Sequence, residues 1–172
     1  MTTFDIPELR TERVLLRAFA SADLDAYAAL CADAEVMRFI GTGGTIDRDM
    51  AWRHMASFLG QWPLRGYGVW AIERLSDGAL IGRTGFLHPA GWPGTELAWT
   101  LARGAWGQGY AFEATQAAMQ FGRRHLGVGE LISLIRENNV RSIALAQRLG
   151  ARNEGVIEFL GSQALKFHHA DA

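Results

Sequence analysis

The segment TELAWTLARGAWGQGYAFEA, residues 95–114, narrows most what this chain can fold into. Glu96 to Ala102 reads as a short strand. Gly104 to Gly109 then opens a helix whose Ala114, Ala117, Ala118 and Phe121 form one apolar stripe. A helix with one apolar face must bury it, and strand, glycine turn and helix together form the unit of interest. Gly107 and Gly109 stand where strand gives way to helix. Without Cβ atoms they let backbone N–H groups approach a ligand, and the helix dipole adds about half a positive charge. The pair fits a phosphate site or simply a tight turn. A dinucleotide fingerprint would need Gly or Ala where Phe112 stands, and Glu130 precedes its strand instead of ending it. A P-loop would need Lys after the last glycine, and Tyr110 is there.

The rest of the chain reads as one domain, residues 1–172, since 49% hydrophobic residues with six Trp and nine Phe suffice for a single core. Seventeen Lys and Arg nearly balance eighteen Asp and Glu, with no run of like charge. That excludes a nucleic-acid stripe or a polybasic membrane patch and points to a small-molecule or peptide partner. MTTFDIPELRTER lacks a signal-peptide pattern, and no apolar run approaches the roughly 20 residues of a membrane span, so a cytoplasmic protein is expected. Cys31 is the only cysteine, which suits a reducing compartment and a thiol packed in the core.

Along the chain, Val14–Phe19 predicts a first strand, and Ser21 and Asp23 offer caps to a helix carrying Leu24, Tyr27, Leu30 and Cys31. Gly41–Gly44 breaks the chain before a second helix from Asp47, with Met50, Met55, Phe58 and Leu59 as core contacts. Tyr67–Arg74 and Ala79–Leu87 flank Ser76, Asp77 and Gly78 as a hairpin. Leu131–Ile135 is a buried strand and Asn139–Leu149 a helix ended by Gly150. Val156–Leu160 then pairs with Ala164–Phe167 around Gly161 and Ser162.

Residues 95–114 resemble the coenzyme A motif of the GNAT superfamily of N-acetyltransferases, and WGQGYAFEA resembles its ribosomal-protein (Rim-type) branch. LRTERVLLRAF, SADLDAYAAL and EVMRFI resemble the N-terminus of that branch, and NNVRSIALAQRLGARNEG its second motif. The resemblance implies a single-domain α/β GNAT-like fold: a mixed, mostly antiparallel, twisted sheet of about seven strands, splayed at the cofactor and flanked by about four helices. Acetyl-CoA is the implied co-substrate. Trp99, Thr100 and Leu101 would offer backbone groups to the pantetheine arm, as an added strand does. Trp106, Gly107, Gln108, Gly109, Tyr110 and Ala111 would hold the pyrophosphate. Asn139 fits a cofactor contact or an N-cap, and Ser142, one turn on, would face the cofactor sulfur.

The implied reaction is attack of a primary amine, on a protein N-terminus or a small molecule, on the thioester in a ternary complex. It needs no metal. An α-amino group with a pKa near 8 requires slight help to become neutral, a Lys side chain near 10.4 a real base. Glu96 matches a glutamate that the superfamily commonly uses as base, against a surface or ion-paired role. No tyrosine follows Tyr110, and Phe167 stands where relatives often have one, so Ser142 or water is left to protonate the thiolate. The other reading, an acyl-CoA-binding module without chemistry, draws on that missing tyrosine. His54, His88, His125, His168 and His169 form no metal-binding pattern. Arg103, Arg123, Arg124 and Arg141 flank the cofactor segments, on solvated faces or against phosphates. Trp70 reads as core, and Trp92 in the His88–Thr95 loop as an acceptor wall. Oligomeric state is open between monomer and homodimer.

Overall fold

The computed structural model describes residues 5–170. They form β1 (Leu9–Arg10), β2 (Val14–Arg17), α1 (Leu24–Ala32), α2 (Ala34–Met37), α3 (Arg48–Arg65), β3 (Val69–Arg74), β4 (Leu80–Leu87) and β5 (Thr95–Leu101). The second half adds α4 (Tyr110–His125), β6 (Leu131–Ile135), α5 (Val140–Arg148), β7 (Arg152–Phe159) and β8 (Ser162–His169). The strands make one eight-stranded sheet in the order β1-β2-β3-β4-β5-β6-β8-β7, in which only β5 and β6 run parallel.

Side chains alternate across this sheet and divide its core. Val69 and Ala71 on β3 face α1 and α3, joining Phe19, Tyr27, Cys31, Met55 and Phe58. Trp70, Ile72, Phe86 and Leu97 face α4, joining Ala114, Ala118 and Met119. Gly122 of α4 is a close-approach glycine, because a Cβ there would meet the Phe86 ring at 2.2 Å. The apolar side of α5 packs on β6 and β8 through Ile135, Ala146 and Phe167.

Three elements differ from the sequence reading. The eighth strand, β1, has two residues and too little pattern to read; it pairs Leu9 with Leu16. The fifth helix, α2, is a single turn capped by Asp33, whose carboxylate accepts the Glu35 N–H at 3.0 Å. The closing hairpin is longer than expected and turns at Leu160 and Gly161, with φ of 48° and 73°. Two successive left-handed residues match the twist of the flanking strands. The α3 start at Asp47 agrees with expectation, since its carboxylate accepts the Met50 N–H at 2.8 Å. Met50 itself is 40% exposed, so it is a surface residue and not the core contact its spacing suggested.

Candidate functional site

The site forms where β5 leaves β6. Only Thr95 and Glu96 pair with β6, at Leu131 and Ile132, and from Leu97 onward the parallel strands diverge. A relay fixes the fork. Ser133 Oγ donates to the Leu97 carbonyl at 2.6 Å and lies 2.9 Å from His169 Nε2. A hydroxyl donating to a carbonyl must accept from its other partner, so this network assigns the His169 proton to Nε2. Burial pushes the His169 pKa down to about 4, with Arg123 adding to the fall.

The ladder to β4 decides which backbone groups enter the gap. The Ala102 N–H donates to the Ile81 carbonyl, so Thr100, two residues earlier, exchanges its backbone bonds with Arg83. Trp99 and Leu101 point theirs away from β4, into the fork. The sequence reading put the Thr100 backbone there as well; strand alternation sends it to β4 and leaves Thr100 its side chain, whose Oγ1 is buried without a partner. The Leu101 carbonyl is already taken by the Trp106 indole N–H at 2.9 Å.

The glycine turn follows a 3₁₀ turn at Arg103–Ala105, so α4 begins at Tyr110, later than the glycine segment suggested. Gly107 and Gly109 have φ of 73° and 83°, which a Cβ would strain. Arg13 and Glu113 hold this turn from outside. Glu113 accepts from Thr11 Oγ1 at 2.7 Å and Arg13 Nε at 2.7 Å, and Arg13 Nη1 donates to the Gln108 carbonyl at 2.9 Å. The first amides of α4 remain without intrahelical acceptors.

A cleft of about 640 Å³ lies between β5, this turn and α5. Trp99, Thr100, Leu101, Trp106, Gly107, Gly109, Ala111, Asn139 and Ser142 line it, as the sequence reading groups them. Gln108 and Tyr110 do not. The Gln108 amide closes the turn on the Gly104 carbonyl at 2.8 Å, and the Tyr110 ring lies under the Arg13 guanidinium at 4.7 Å. Asn139 is the N-cap of α5 through the Ser142 N–H at 3.3 Å, and it also lines the cleft. Ser142 Oγ accepts from Trp99 Nε1 at 3.2 Å, which leaves its own proton to donate.

Three arginines give the cleft positive charge. Arg141 and Arg148 stack on Trp106 and Phe112 at 4.2 and 3.9 Å, and Arg38 joins them on the wall. Of the four arginines read from sequence, only Arg141 is on this wall. Arg103 pairs with Asp33 at 3.0 Å, and Arg123 donates to the His169 and Ala170 carbonyls. Arg38 and Arg148 were missed, because nothing in their local sequence tells a cleft arginine from a solvated one.

A second cavity of about 320 Å³ adjoins the first, sharing Phe39, Ile40, Trp99, Thr100, Asn139 and Ser142 with it. Glu96 lines only this smaller cavity. The Trp92 indole N–H donates to Glu96 Oε2 at 2.7 Å, and Trp92 stacks edge-on with Phe159 at 4.8 Å. Burial pushes the Glu96 carboxyl up; Trp92, Arg83 and the Leu134 amide pull the other way without cancelling it. Arg136 fastens the cavity rim, donating to the carbonyls of Phe159, Gln163 and Gly41. Phe167 is buried under α5 and offers no acid. Cys31 is a core thiol whose pKa burial raises.

Among the described residues no three His, Cys, Asp or Glu side chains form a metal site, and no helix is long and apolar enough to cross a membrane.

Comparison with known proteins agrees with this architecture. Residues 13–152 match the family model "Acetyltransferase (GNAT) domain". The chain is 26% identical over 153 residues to the uncharacterized N-acetyltransferase YoaA of Bacillus subtilis, covering 88% of this chain and 86% of that one. The crystal structure of an acetyltransferase from Agrobacterium tumefaciens superposes with a TM-score of 0.87 at 32% identity, covering 99% and 98% of the two chains. RimL, a ribosomal L7/L12 alpha-N-protein acetyltransferase solved in complex with coenzyme A, shares the fold with a TM-score of 0.75 at 19% identity, covering 92% and 94%. The splayed sheet, the glycine turn and the family match agree, and the chain belongs to the GNAT acetyltransferase family as an N-acetyltransferase.

Proposed function

We propose that the larger cleft binds acetyl-CoA and the smaller cavity a primary amine, which attacks the thioester directly in a ternary complex. The observation that carries this reading is the junction: two cavities of about 640 and 320 Å³ meet at Trp99, Thr100, Asn139 and Ser142. GNAT acetyltransferases use acetyl-CoA, and the positive cleft beside free helix amides suits its phosphates. The pantetheine arm runs along the Trp99 and Leu101 backbone as an added strand, and the glycine turn with the first amides of α4 takes the pyrophosphate. Through their backbones Gln108 and Tyr110 belong to that turn.

Glu96 is the base. Its carboxyl is raised by burial, and a raised carboxyl group in its ionised form is a stronger proton acceptor than an ordinary one. The neutral amine attacks the carbonyl carbon and gives up a proton to Glu96 as the C–N bond forms, the oxyanion is held by a β5 amide facing the fork, and the C–S bond breaks. Ser142, aimed by the Trp99 indole, gives its proton to the departing sulfur and regains one from solvent. Asn139 caps α5 and thereby sets the position of Ser142.

The acceptor is a primary amine, of a protein N-terminus or a small molecule. WGQGYAFEA and the fold shared with RimL support a place near the ribosomal-protein branch. The test is free thiol released from acetyl-CoA across N-terminal peptides, amino acids, polyamines and aminoglycosides, with thermal stabilisation by acetyl-CoA but not NAD as the binding control. Release with at least one class is expected. Stabilisation without release from any amine would overturn the reading.

A further inference from the structure

The smaller cavity holds a cation that the proposed transfer does not use. Arg83 on β4 is 6% exposed, and its guanidinium lies over the Phe58 ring at 4.9 Å. Its Nε and Nη1 have no hydrogen-bond partner, and none of the ion pairs among the described residues includes it. Directly across the ladder stands Thr100, also 6% exposed, whose Oγ1 is likewise unpartnered. Register puts both side chains on the same sheet face, and both open on the cavity that Glu96 lines.

Buried charges are ordinarily paired, because an uncompensated one costs several kcal/mol. The groups around Arg83 do not compensate it. From α1, the Tyr27 hydroxyl shares a side-chain hydrogen bond with Arg83 but brings no charge, its pKa pushed up to about 12 by burial, and burial raises the Cys31 thiol too. From α3, His54 is lowered by burial and by Arg83 itself. Glu96 is the one carboxylate that feels Arg83, and it forms no ion pair with it; its Oε2 is bonded to Trp92. A cation with two buried, unpartnered donor nitrogens beside an unpartnered hydroxyl, in the wall of a cavity of about 320 Å³, matches an anion with two acceptor oxygens.

We infer that the acceptor amine also carries a carboxylate, which Arg83 and the Thr100 hydroxyl hold at one end of the smaller cavity while Glu96 meets the amine at the other. The inference rests on the proposed transfer and narrows its acceptor to a small amino acid. Glu96 and Thr100 are four residues apart on β5, about 13 Å of strand, and the inward reach of Arg83 and Glu96 leaves a span of a few bonds between amine and carboxylate. The cavity volume of about 320 Å³ is at the lower end for ligand pockets, which suits one amino acid. One guanidinium with one hydroxyl matches a carboxylate, whereas a phosphate dianion would call for further donors.

The test compares acceptors that differ only at the carboxylate: free α- and β-amino acids against their amides and decarboxylated amines, by thiol release from acetyl-CoA. An acid's amine is more basic than that of its amide, so fewer molecules are neutral, and a preference for the acid over its amide cannot arise from amine reactivity. The wild-type protein is expected to favour acids roughly tenfold or more in kcat/KM, as befits a charge-assisted hydrogen-bond pair. Arg83→Gln should remove that preference, Arg83→Lys should keep part of it, and neither should change stabilisation by acetyl-CoA. Amides acetylated as well as acids would overturn the inference and leave the transfer standing, as would an Arg83→Gln variant that slows all acceptors equally. Where Arg83→Gln does not fold, the wild-type comparison decides alone. No release from any amine sinks the transfer itself; calorimetric binding of acids against amides to the acetyl-CoA-saturated protein then judges Arg83, and equal binding overturns its role.

Discussion

The larger cleft takes most of its wall from two stretches of chain, residues 99–112 and 138–148, whereas the smaller cavity gathers short pieces of α3, β4, β5, β6 and the closing hairpin. The first presents chiefly backbone amides, glycines and stacked arginines, features that tolerate many side chains nearby. The second presents a few side chains whose chemistry is set by burial: a carboxylate raised by desolvation, an arginine without a counter-ion, an indole holding the carboxylate. In the proposed transfer, binding of the donor and choice of the acceptor fall to physically different surfaces, which meet where β5 faces α5 and the Phe39–Ile40 segment. Variants on one side should leave the other intact.

The sharpest separation comes from Glu96→Gln. Loss of a general base predicts kcat/KM lower by roughly 100- to 1,000-fold, with stabilisation by acetyl-CoA unchanged in a thermal melt. Only the carboxylate accepts a proton, so wild-type turnover should fall as pH drops through the raised Glu96 pKa, above the ordinary value of 4.5, and the variant should lack that limb. A parallel loss of acetyl-CoA stabilisation would break the division between the cavities.

Acid should strike both at once, through the relay that fixes the fork. His169 has a folded pKa of about 4 against an ordinary 6.5, so between these values the unfolded chain binds more protons. Its contribution is complete above pH 6.5 and is lost as pH falls towards 4, a loss of about 2 kcal/mol at pH 5. Urea midpoints at pH 7.5 and 5 measure it, and His169→Gln should flatten the difference.

Gly109→Ala should act on the larger cleft alone. Its φ of 83° costs a side chain about 1–2 kcal/mol, and the new Cβ would stand 3.2 Å from Arg13 Nη2, the side chain that steadies the turn. A lower melting temperature and weaker acetyl-CoA binding are expected, with the acceptor preference unaltered. Ser142→Ala is the mildest change, roughly fivefold in kcat with KM nearly constant, since losing one hydrogen bond made in the transition state is worth about 1 kcal/mol. Unchanged turnover would assign thiolate protonation to water.

The different legibility of the two cavities follows from how they are built. The glycine turn, the stripe of α4 and the Asn139 cap are local: each depends on neighbours within a turn or two, and the chain order displays them. The Thr100 backbone was misread because strand alternation is fixed by the β4 register, which starts from the Ala102 to Ile81 bond. Arg38, Arg148 and above all Arg83 could not be singled out, because an arginine in sequence carries no mark of what surrounds it. Met50 erred the other way, an apolar side chain at helical spacing that the helix turns to solvent.

By itself the sequence located the strands, the helices and the glycine turn through periodicity, and its contiguous motif, by resemblance, pointed to the GNAT family and its fold class. The tertiary structure alone decided where β5 and β6 part, which backbone groups enter the gap, and that Arg83 faces Thr100 across the ladder without a counter-ion. Burial and register are properties of elements brought together from distant parts of the chain, and they turn ordinary residues such as Glu96, Arg83 and His169 into groups with altered chemistry.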